Sequence, residues 1–409
     1  MRRVKLTILT VFFSGFGGFA AEDDFSFSGY LKSTVQASQF ADSVVLPPLE
    51  DDKSYWLWQN TLNLRLFYEP DADFSFETVY ELSPVVADAN IIRSQGFFNP
   101  VDSPYRVKDL TSVLEENGDL FFFQNLDRLN MTVRFQAADL RIGRQPISFG
   151  SGRYINPTDI FSPFVFQDLN QEEKNGVDAV RYQLMTGDMS ELDIGVVFGE
   201  DAELAESAAF VRGKVFYKGS DISLMLMDFK QNLMIGFDLT RSIGEAGFWF
   251  EAAQVYAGLF EGRESDDDYF RLTTGFDYSL NRRTYGFIEY HYNGAGARNP
   301  ESYLINMVGH IGYTEGGLYL LGKNYLIPGV TYEINPLTFS TLYLVTNMDD
   351  FSSYLGVSVE YNLKENCYLE AGGFFGFGRS PERSSTELEL NSEFGAYSNA
   401  VYVGLRYYF

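Results

Sequence analysis

Apolar and polar residues alternate along most of this chain, in segments of about ten residues separated by turn-forming residues. In the last segment, one face carries Val401, Val403, Leu405, Tyr407 and Phe409. The opposite face carries Ala400, Tyr402, Gly404, Arg406 and Tyr408. Successive side chains of a β-strand point to opposite sides. The period of two therefore predicts strands with one apolar face and one mixed, polar face.

Eighteen segments follow this pattern, with sixteen as the smaller alternative. They are 25–38, 54–69, 73–83, 124–136, 138–148, 176–185, 190–199, 208–218, 221–229, 232–241, 246–257, 268–280, 283–293, 322–334, 337–347, 353–363, 367–378 and 398–409. Long connections alternate with short, turn-rich ones such as Pro70-Asp71-Ala72 and Lys218-Gly219-Ser220. Long external loops, short periplasmic turns and an even strand count are typical of transmembrane barrels. The pattern thus predicts an all-β, closed antiparallel barrel.

A soluble β-sandwich is the alternative for such alternation, with its polar face in water. Aromatic residues cluster near the predicted strand ends, where a barrel meets the two membrane surfaces. They are Trp56, Trp58, Tyr68, Tyr278 and Tyr407. This placement favours the membrane barrel over the sandwich.

Composition excludes several classes of protein. The 409 residues include 31 Lys and Arg against 56 Asp and Glu, a net charge of −25, so a nucleic-acid partner is not expected. The 38 Phe and 27 Tyr separate the chain from acidic disordered proteins. One cysteine, Cys367, excludes a disulfide framework, and two histidines exclude a His-rich metal centre. We therefore expect no metal and no cofactor.

The first twenty residues have the pattern of a secretory signal peptide. Arg2, Arg3 and Lys5 precede an apolar stretch at 6–16, and Gly18-Phe19-Ala20 supplies small residues for cleavage near Ala20. A short membrane anchor is the alternative, but the apolar stretch is too short to cross a bilayer. The predicted organisation is a signal peptide at 1–20 and one barrel domain at 21–409.

Two local runs carry a resemblance to a known class. The run from Leu140 to Arg153, Leu-Arg-Ile-Gly-Arg-Gln-Pro-Ile-Ser-Phe-Gly-Ser-Gly-Arg, resembles one in alginate-export-like and other substrate-specific porins. The alternating residues 401–409, ending on Phe409, resemble the terminal strand of Gram-negative outer-membrane porins. The resemblance implies an outer-membrane location, contact with lipid and lipopolysaccharide, and assembly by machinery that recognises Phe409. Strict alternation places Arg144 on the lipid side, unless a bulge intervenes or the residue lies above the membrane.

Charged residues within membrane strands are expected to face the lumen, because Arg or Lys at mid-bilayer costs roughly 2–4 kcal/mol. On this basis one side of the lumen is predicted to be basic, with Arg65, Arg128, Arg134, Arg141, Arg181, Arg212 and Lys214. The opposite side is predicted to be acidic, with Asp238, Glu251, Asp277, Glu289, Glu333 and Glu360. Opposed walls would select small polar or charged solutes for passive diffusion. The alternative is that these charges pair with neighbours and only keep the lumen wet.

Several of the long connections carry further predictions. The loop 150–175 follows the basic strands and is the candidate constriction, with Arg153, Asp159, Asp168 and Lys174. Helical stretches are predicted at 102–118 and 299–307. Acidic runs at Glu50-Asp51-Asp52, Glu200-Asp201 and Asp266-Asp267-Asp268 are interpreted as solvated loops, or as divalent-cation bridges to lipopolysaccharide.

Other functions remain as alternatives. A barrel hydrolase needs a nucleophile near a base, and barrel phospholipases and lipid deacylases place Ser or Thr two residues after the strand histidine. Here His291 is followed at that position by Asn293. A sheath or scaffold for a periplasmic or extracellular partner, such as a threaded electron-transfer cytochrome, is the stronger alternative. A plugged transporter is disfavoured because the first strand begins close to the predicted cleavage point.

Overall fold

A computed structural model describes seven ranges of the chain. They are 24–39, 54–87, 104–117, 119–162, 174–260, 267–383 and 388–409. The predicted signal peptide at 1–20, the acidic run Glu50-Asp51-Asp52 and the constriction residue Asp168 lie outside the described residues.

Eighteen long strands make up the wall. They are β1 Phe25–Gln39, β2 Ser54–Asp71, β3 Phe74–Ala87, β4 Leu120–Arg134, β5 Ala138–Pro146, β6 Gly176–Gly187, β7 Ser190–Val197, β8 Ala208–Tyr217, β9 Ser220–Phe229, β10 Asn232–Ile243, β11 Ala246–Tyr256, β12 Tyr269–Asn281, β13 Thr284–Asn293, β14 Asn324–Asn335, β15 Thr338–Asn347, β16 Ser353–Lys364, β17 Cys367–Phe377 and β18 Asn399–Tyr408. The predicted segments match them closely, and the count of eighteen is confirmed.

The wall is a closed antiparallel barrel. Each strand pairs with the next, and β18 returns to pair with β1, from Tyr30 opposite Tyr408 to Gln39 opposite Asn399. Closure gives every strand a partner on both sides over at least part of its length. The predicted fold class is therefore confirmed.

The two faces of the wall differ as the alternation predicts. On the outer face Val401 is 51% exposed and Leu224 is 62% exposed. On the inner face Thr61 and Asn63 are only 4% and 2% exposed, because they pack against larger polar neighbours. Such an outer surface is apolar around the barrel, as a lipid-facing surface requires. Within the described ranges, no helix is both long and apolar enough to cross a membrane.

Several of the short connections are tight turns with left-handed backbone. Lys218 and Gly219 between β8 and β9 have φ of 49° and 77°, and Gly244 between β10 and β11 has φ of 64°. Two-residue hairpin turns of this hand match the twist of the strands they join. These turns lie at one end of the barrel, the short-turn end. The long connections lie at the other, the long-loop end, together with the two-residue turn Lys230-Gln231 between β9 and β10.

The two predicted helical stretches have different outcomes. At 299–307 the prediction is confirmed, because this stretch forms a 3-10 turn, Pro300–Ser302, and a helix, α1 Tyr303–Gly309. A one-turn helix, α2 Ile311–Thr314, follows α1. At 102–118 the prediction is wrong for Ser112–Asn117, a strand that pairs with Leu120–Gln124 of β4. The hairpin forms because β4 extends beyond β5 and offers an unpaired edge there.

That edge continues as a seam in the wall. Strand β5 pairs with β4 only as far as Arg144, so β4 and β6 meet directly above it. Asp127 accepts a bond from the Gly176 amide at 3.1 Å. Arg106, 2% exposed, donates to the Gly176 carbonyl at 3.0 Å, to Asn125 Oδ1 at 2.8 Å and to Asp127 Oδ1 at 3.3 Å. One buried guanidinium thus closes the seam.

The position of Arg144, left open by the alternation, is now defined. Its guanidinium makes two bonds to Asp178, with Nε 2.8 Å from Oδ1 and Nη2 3.0 Å from Oδ2. Residues 107 and 108 cover the pair, through the Val107 amide and the Lys108 carbonyl. Arg144 is therefore neutralised and 4% exposed at the long-loop end.

Candidate functional site

After β5 the chain leaves the wall and enters the barrel. Residues 147–162, called the inward segment below, begin with Ile147 and Phe149, which are 0% and 5% exposed. Both pack with Phe161 and with inner-face residues such as Phe210 and Met227. Gly150 has φ of +100°, and a Cβ there would lie 2.6 Å from both carboxylate oxygens of Glu251. Glycine is therefore required where the segment first meets the opposite wall.

Glu251 on β11 holds both ends of the turn that follows. Its Oε2 accepts from the amides of Ser151 at 3.1 Å and Gly152 at 3.3 Å. Its Oε1 accepts from the amide and the hydroxyl of Thr158, both at 2.7 Å. Glu251 itself is 0% exposed. Four donors of the segment converge on one carboxylate.

Glu289 on β13 holds the middle of the segment in the same way. Its Oε2 accepts from the Arg153 amide at 2.6 Å, and its Oε1 from the amides of Tyr154 at 3.2 Å and Ile155 at 3.1 Å. The indole of Trp249 completes the set at 3.0 Å. Three successive amides around one anion form a nest, an arrangement suited to negative charge.

Two further carboxylates of the predicted acidic wall contact the same segment. Asp238 accepts from the Ser151 hydroxyl, and Asp277 pairs with the guanidinium of Arg153. That guanidinium also lies over the Trp249 ring, 5.3 Å from its centroid. The side chain of Arg153 is 51% exposed, so this paired guanidinium remains partly accessible to solvent.

Asp159 ties the segment to its own ends. It is 1% exposed and accepts from the Ser148 hydroxyl at 2.6 Å and the Ser162 amide at 3.2 Å. Lys174, just before β6, lies 3.4 Å from its Oδ2. Burial raises the pKa of the Asp159 carboxyl, although Lys174 and the two donors act in the opposite direction. Asp159 thereby joins Ser148, just before the loop 150–175, to Lys174 at its end.

Two other long loops close over the barrel end. The loop of α1 and α2 and the loop before β18 meet at Glu393, which is 0% exposed. Glu393 accepts from Tyr325 at 2.5 Å, Asn347 at 2.7 Å and the Leu321 amide at 2.9 Å. Burial raises its pKa to about 7. The loops, β14 and β15 are thus held together around one side chain.

The predicted basic wall consists largely of ion pairs. Six of its seven cations lie within 4.0 Å of a carboxylate on the same strand or on a strand one or two positions away. The pairs are Arg65 with Glu77, Arg128 with Glu77 and Asp127, Arg134 with Glu69, Arg181 with Asp193, Arg212 with Glu191, and Lys214 with Asp221. The basic half therefore carries much less net charge than its arginine count implies.

Arg141 differs from these six. It lies opposite Arg181 in the register of β5 and β6 and donates to Thr132 Oγ1 at 3.1 Å. Among the described residues, no carboxylate lies within the 4.0 Å of an ion pair. Arg141 is thus the member of the set whose charge is not neutralised by direct contact.

The predicted acidic wall divides into two groups. Glu251 and Glu289 are brought together beneath the inward segment, with Asp238 and Asp277 beside them, so the first two are covered and not exposed to the lumen. Glu360 instead pairs with Arg406 at 2.7 Å, and Glu333 lies near the short-turn end of β14. The sequence reasoning did not identify Thr158 or Trp249, since neither residue type signals a carboxylate partner that lies 93 or 40 residues away along the chain.

The histidine of the hydrolase alternative lies beneath the same segment. His291 Nδ1 is 2.9 Å from Thr273 Oγ1, and the two residues are 1% and 0% exposed. Neither is open to a substrate in this arrangement. Across the described ranges, no group of three or more His, Cys, Asp or Glu side chains could hold a metal ion.

Comparison with known proteins shows likeness in fold. No family model matches the chain, and no curated protein matches it. OccAB4 of Acinetobacter baumannii matches with a TM-score of 0.59 at 10% identity, over 94% of this chain and 98% of that one. OccD3 of Pseudomonas aeruginosa matches with a TM-score of 0.54 at 11% identity, over 96% and 93%. A triple mutant of Rhodopseudomonas blastica porin matches at 13% identity with a TM-score of 0.46, over 94% and 100%.

These likenesses do not support the narrower alginate-export-like class that residues 140–153 predict. At such low identities they bear on architecture and not on solutes or partners. The chain shares the barrel fold of the two Occ proteins.

Proposed function

We propose that this protein is an outer-membrane channel for the passive diffusion of small polar or charged solutes. The observation that carries the proposal is the inward segment, fixed across the inside of a closed barrel by Glu251 and Glu289. A folded-in loop narrows a barrel of this size without filling it. The apolar outer face and the polar inner face suit a lipid-embedded wall around a water-filled passage.

The passage is bounded on one side by the inward segment and on the other by the paired cations. Because the segment bonds to β10–β13, the open part of the lumen faces the strands that carry Arg65, Arg128 and Arg141. Alternating ion pairs keep such a wall hydrated, and the charge of Arg141 adds a local preference. Solute preference is thus set by a few side chains beside the segment and not by the total charge.

A threaded partner protein is the competing function. The inward segment packs with its apolar neighbours inside the barrel, which leaves less room for a partner threaded through it. This weighs in favour of the channel.

The same proposal includes export, assembly and the membrane environment. We propose that the chain is secreted through the 1–20 signal peptide, is assembled through Phe409 and contacts lipopolysaccharide.

Planar-bilayer recording of the purified, full mature chain tests this function. We expect stable single-channel steps, and a variant lacking residues 156–168 is expected to show larger steps, because the deletion removes the Thr158 contacts with Glu251. Heat-modifiable migration in gels confirms that each sample is folded. A folded wild-type protein that conducts no ions would contradict the channel and favour the sheath.

A further inference from the structure

Two buried glutamates receive more hydrogen bonds than a neutral side chain of the same shape can accept. Each of the four carboxylate oxygens of Glu251 and Glu289 accepts from two donors. Seven of these donors belong to residues 151–158 of the inward segment and the eighth is Trp249. An amide in place of either carboxylate would keep one acceptor oxygen and turn an NH₂ group towards two N–H or O–H donors.

Direct cationic neighbours do not explain this arrangement. Among the residues that the structure describes, no lysine or arginine side-chain nitrogen lies within 4.0 Å of either carboxylate. The bonds to backbone amides therefore compensate the burial of the two charges. Removing such a partner leaves several buried donors unsatisfied at once, which costs far more than the loss of one ordinary bond.

The two contacts fix different parts of the segment. Glu251 binds residues 151–152 and 158, which are the two ends of the turn, and Glu289 binds residues 153–155, its middle. The Arg153 amide binds Glu289 while its guanidinium pairs with Asp277. A shift of the backbone at this point would therefore also move the partly exposed guanidinium of Arg153 and its ion pair with Asp277.

We propose that Glu251 and Glu289 are the positioning residues of the channel: they hold the inward segment against the far wall and thereby set the conductance and ion preference of the passage. The inference rests on the proposed function. On this inference, Glu251 and Glu289 of the predicted acidic wall do not line the pore. They hold in place the inward segment, which forms one boundary of the pore.

Single-channel recording of E251Q, E289Q and the double variant tests the proposal. Because the freed segment can detach from the wall by local unfolding, on timescales of about microseconds to seconds, we expect open-channel flicker and a shift to a different mean conductance. The double variant is expected to shift furthest. Glu245 to Gln is the matched control, since it removes the same charge in a short turn, where the carboxylate accepts from Tyr278.

A second variant keeps the proposal testable if E251Q or E289Q fails to fold. T158A leaves both glutamates in place and removes a single donor to Glu251, so a smaller shift in the same direction is expected. Hydrogen exchange of residues 148–162, measured on the same detergent-solubilised samples, should accelerate in the order wild type, T158A, E251Q. This readout does not depend on conduction.

The outcomes separate the two proposals. Faster exchange of 148–162 together with altered conductance supports the positioning role. Wild-type conductance and unchanged exchange in folded E251Q and E289Q overturn it and leave the channel intact, since apolar packing then suffices to hold the segment. If the wild-type protein does not conduct, the channel fails, and exchange alone decides whether the two glutamates hold the segment.

Discussion

Arg181 on β6 and Asp193 on β7 form a two-point ion pair on the inner face of the barrel, with Nη2 2.6 Å from Oδ2 and Nε 2.9 Å from Oδ1. Asp193 is 0% exposed, so its charge depends on this contact. In this pair, as in the others of the basic strands, a nearby carboxylate neutralises the charge of the cation.

Neutralising Asp193 should show how much the ion pair with Arg181 stabilises the barrel. We expect D193N to lower the free energy of unfolding by about 3 kcal/mol, because a buried ion pair loses one member. Urea titration followed by tryptophan fluorescence measures the change. The less buried pair of Lys214 and Asp221, with side chains 35% and 32% exposed, is the control, and K214A should cost less than about 1 kcal/mol. Equal effects at both sites would contradict the assigned difference in burial.

Charge preference should depend on Arg141 more than on its neighbours. Arg134 lies 2.6 Å from Glu69, whereas Arg141 has Thr132 as its bonded partner. In a salt gradient, R141A is therefore expected to shift the reversal potential towards cations, and R134A alone to shift it less. The double variant should resemble R141A. A larger effect of R134A would show that direct pairing does not cancel a charge in this lumen.

Phe409 should affect assembly through the contact between β1 and β18. Its backbone exchanges two hydrogen bonds of 3.0 Å with Gly29, and its ring lies 6.0 Å from that of Phe27. F409S keeps the backbone bonds and removes the aromatic side chain, so we expect a lower yield of heat-modifiable protein in outer membranes. Phe377 to Ser, an exposed aromatic elsewhere in the wall, is the comparison. Equal yields for both variants would contradict a special role.

The loops around Glu393 should be more stable in acid than in base. Burial raises the pKa of this carboxyl to about 7, above its ordinary value, so the folded state holds the proton more tightly. The stabilisation is complete below the ordinary value of 4.5 and is lost as the pH rises through about 7. Hydrogen exchange of residues 388–397, corrected for its intrinsic rate, should show more protection at about pH 5 than at about pH 8. In E393Q the difference should disappear.

The wall could be predicted from the sequence because its rules are local. Leu62 and Leu64 alternate with Thr61 and Asn63, and the neighbouring strands repeat the same period, so the face of each residue follows from its position alone. Glu251 and Glu289 were assigned to the inner face for this reason. Strand count and turn positions required no knowledge of distant contacts.

The contacts that the long loops make inside the barrel could not be predicted in this way. Ser151 meets Glu251 and Arg153 meets Glu289 across more than ninety residues, and no period in the chain encodes such a meeting. Residues 112–117 were predicted as part of a helix because their caps are local, while their strand partner is the extended edge of β4. Non-local pairing overrides local signals at these places.

The contact between β1 and β18 has a kinetic consequence. Every other pair in the wall joins strands that follow one another along the chain, whereas this pair joins its two ends. Hairpins can form early, but the ring cannot close until β18 is available to β1, and that step carries the largest loop-closure entropy. Until then both strands present unpaired edges that invite aggregation. The slowest and most vulnerable stage of folding should therefore be the final one, the meeting of Tyr30 with Tyr408.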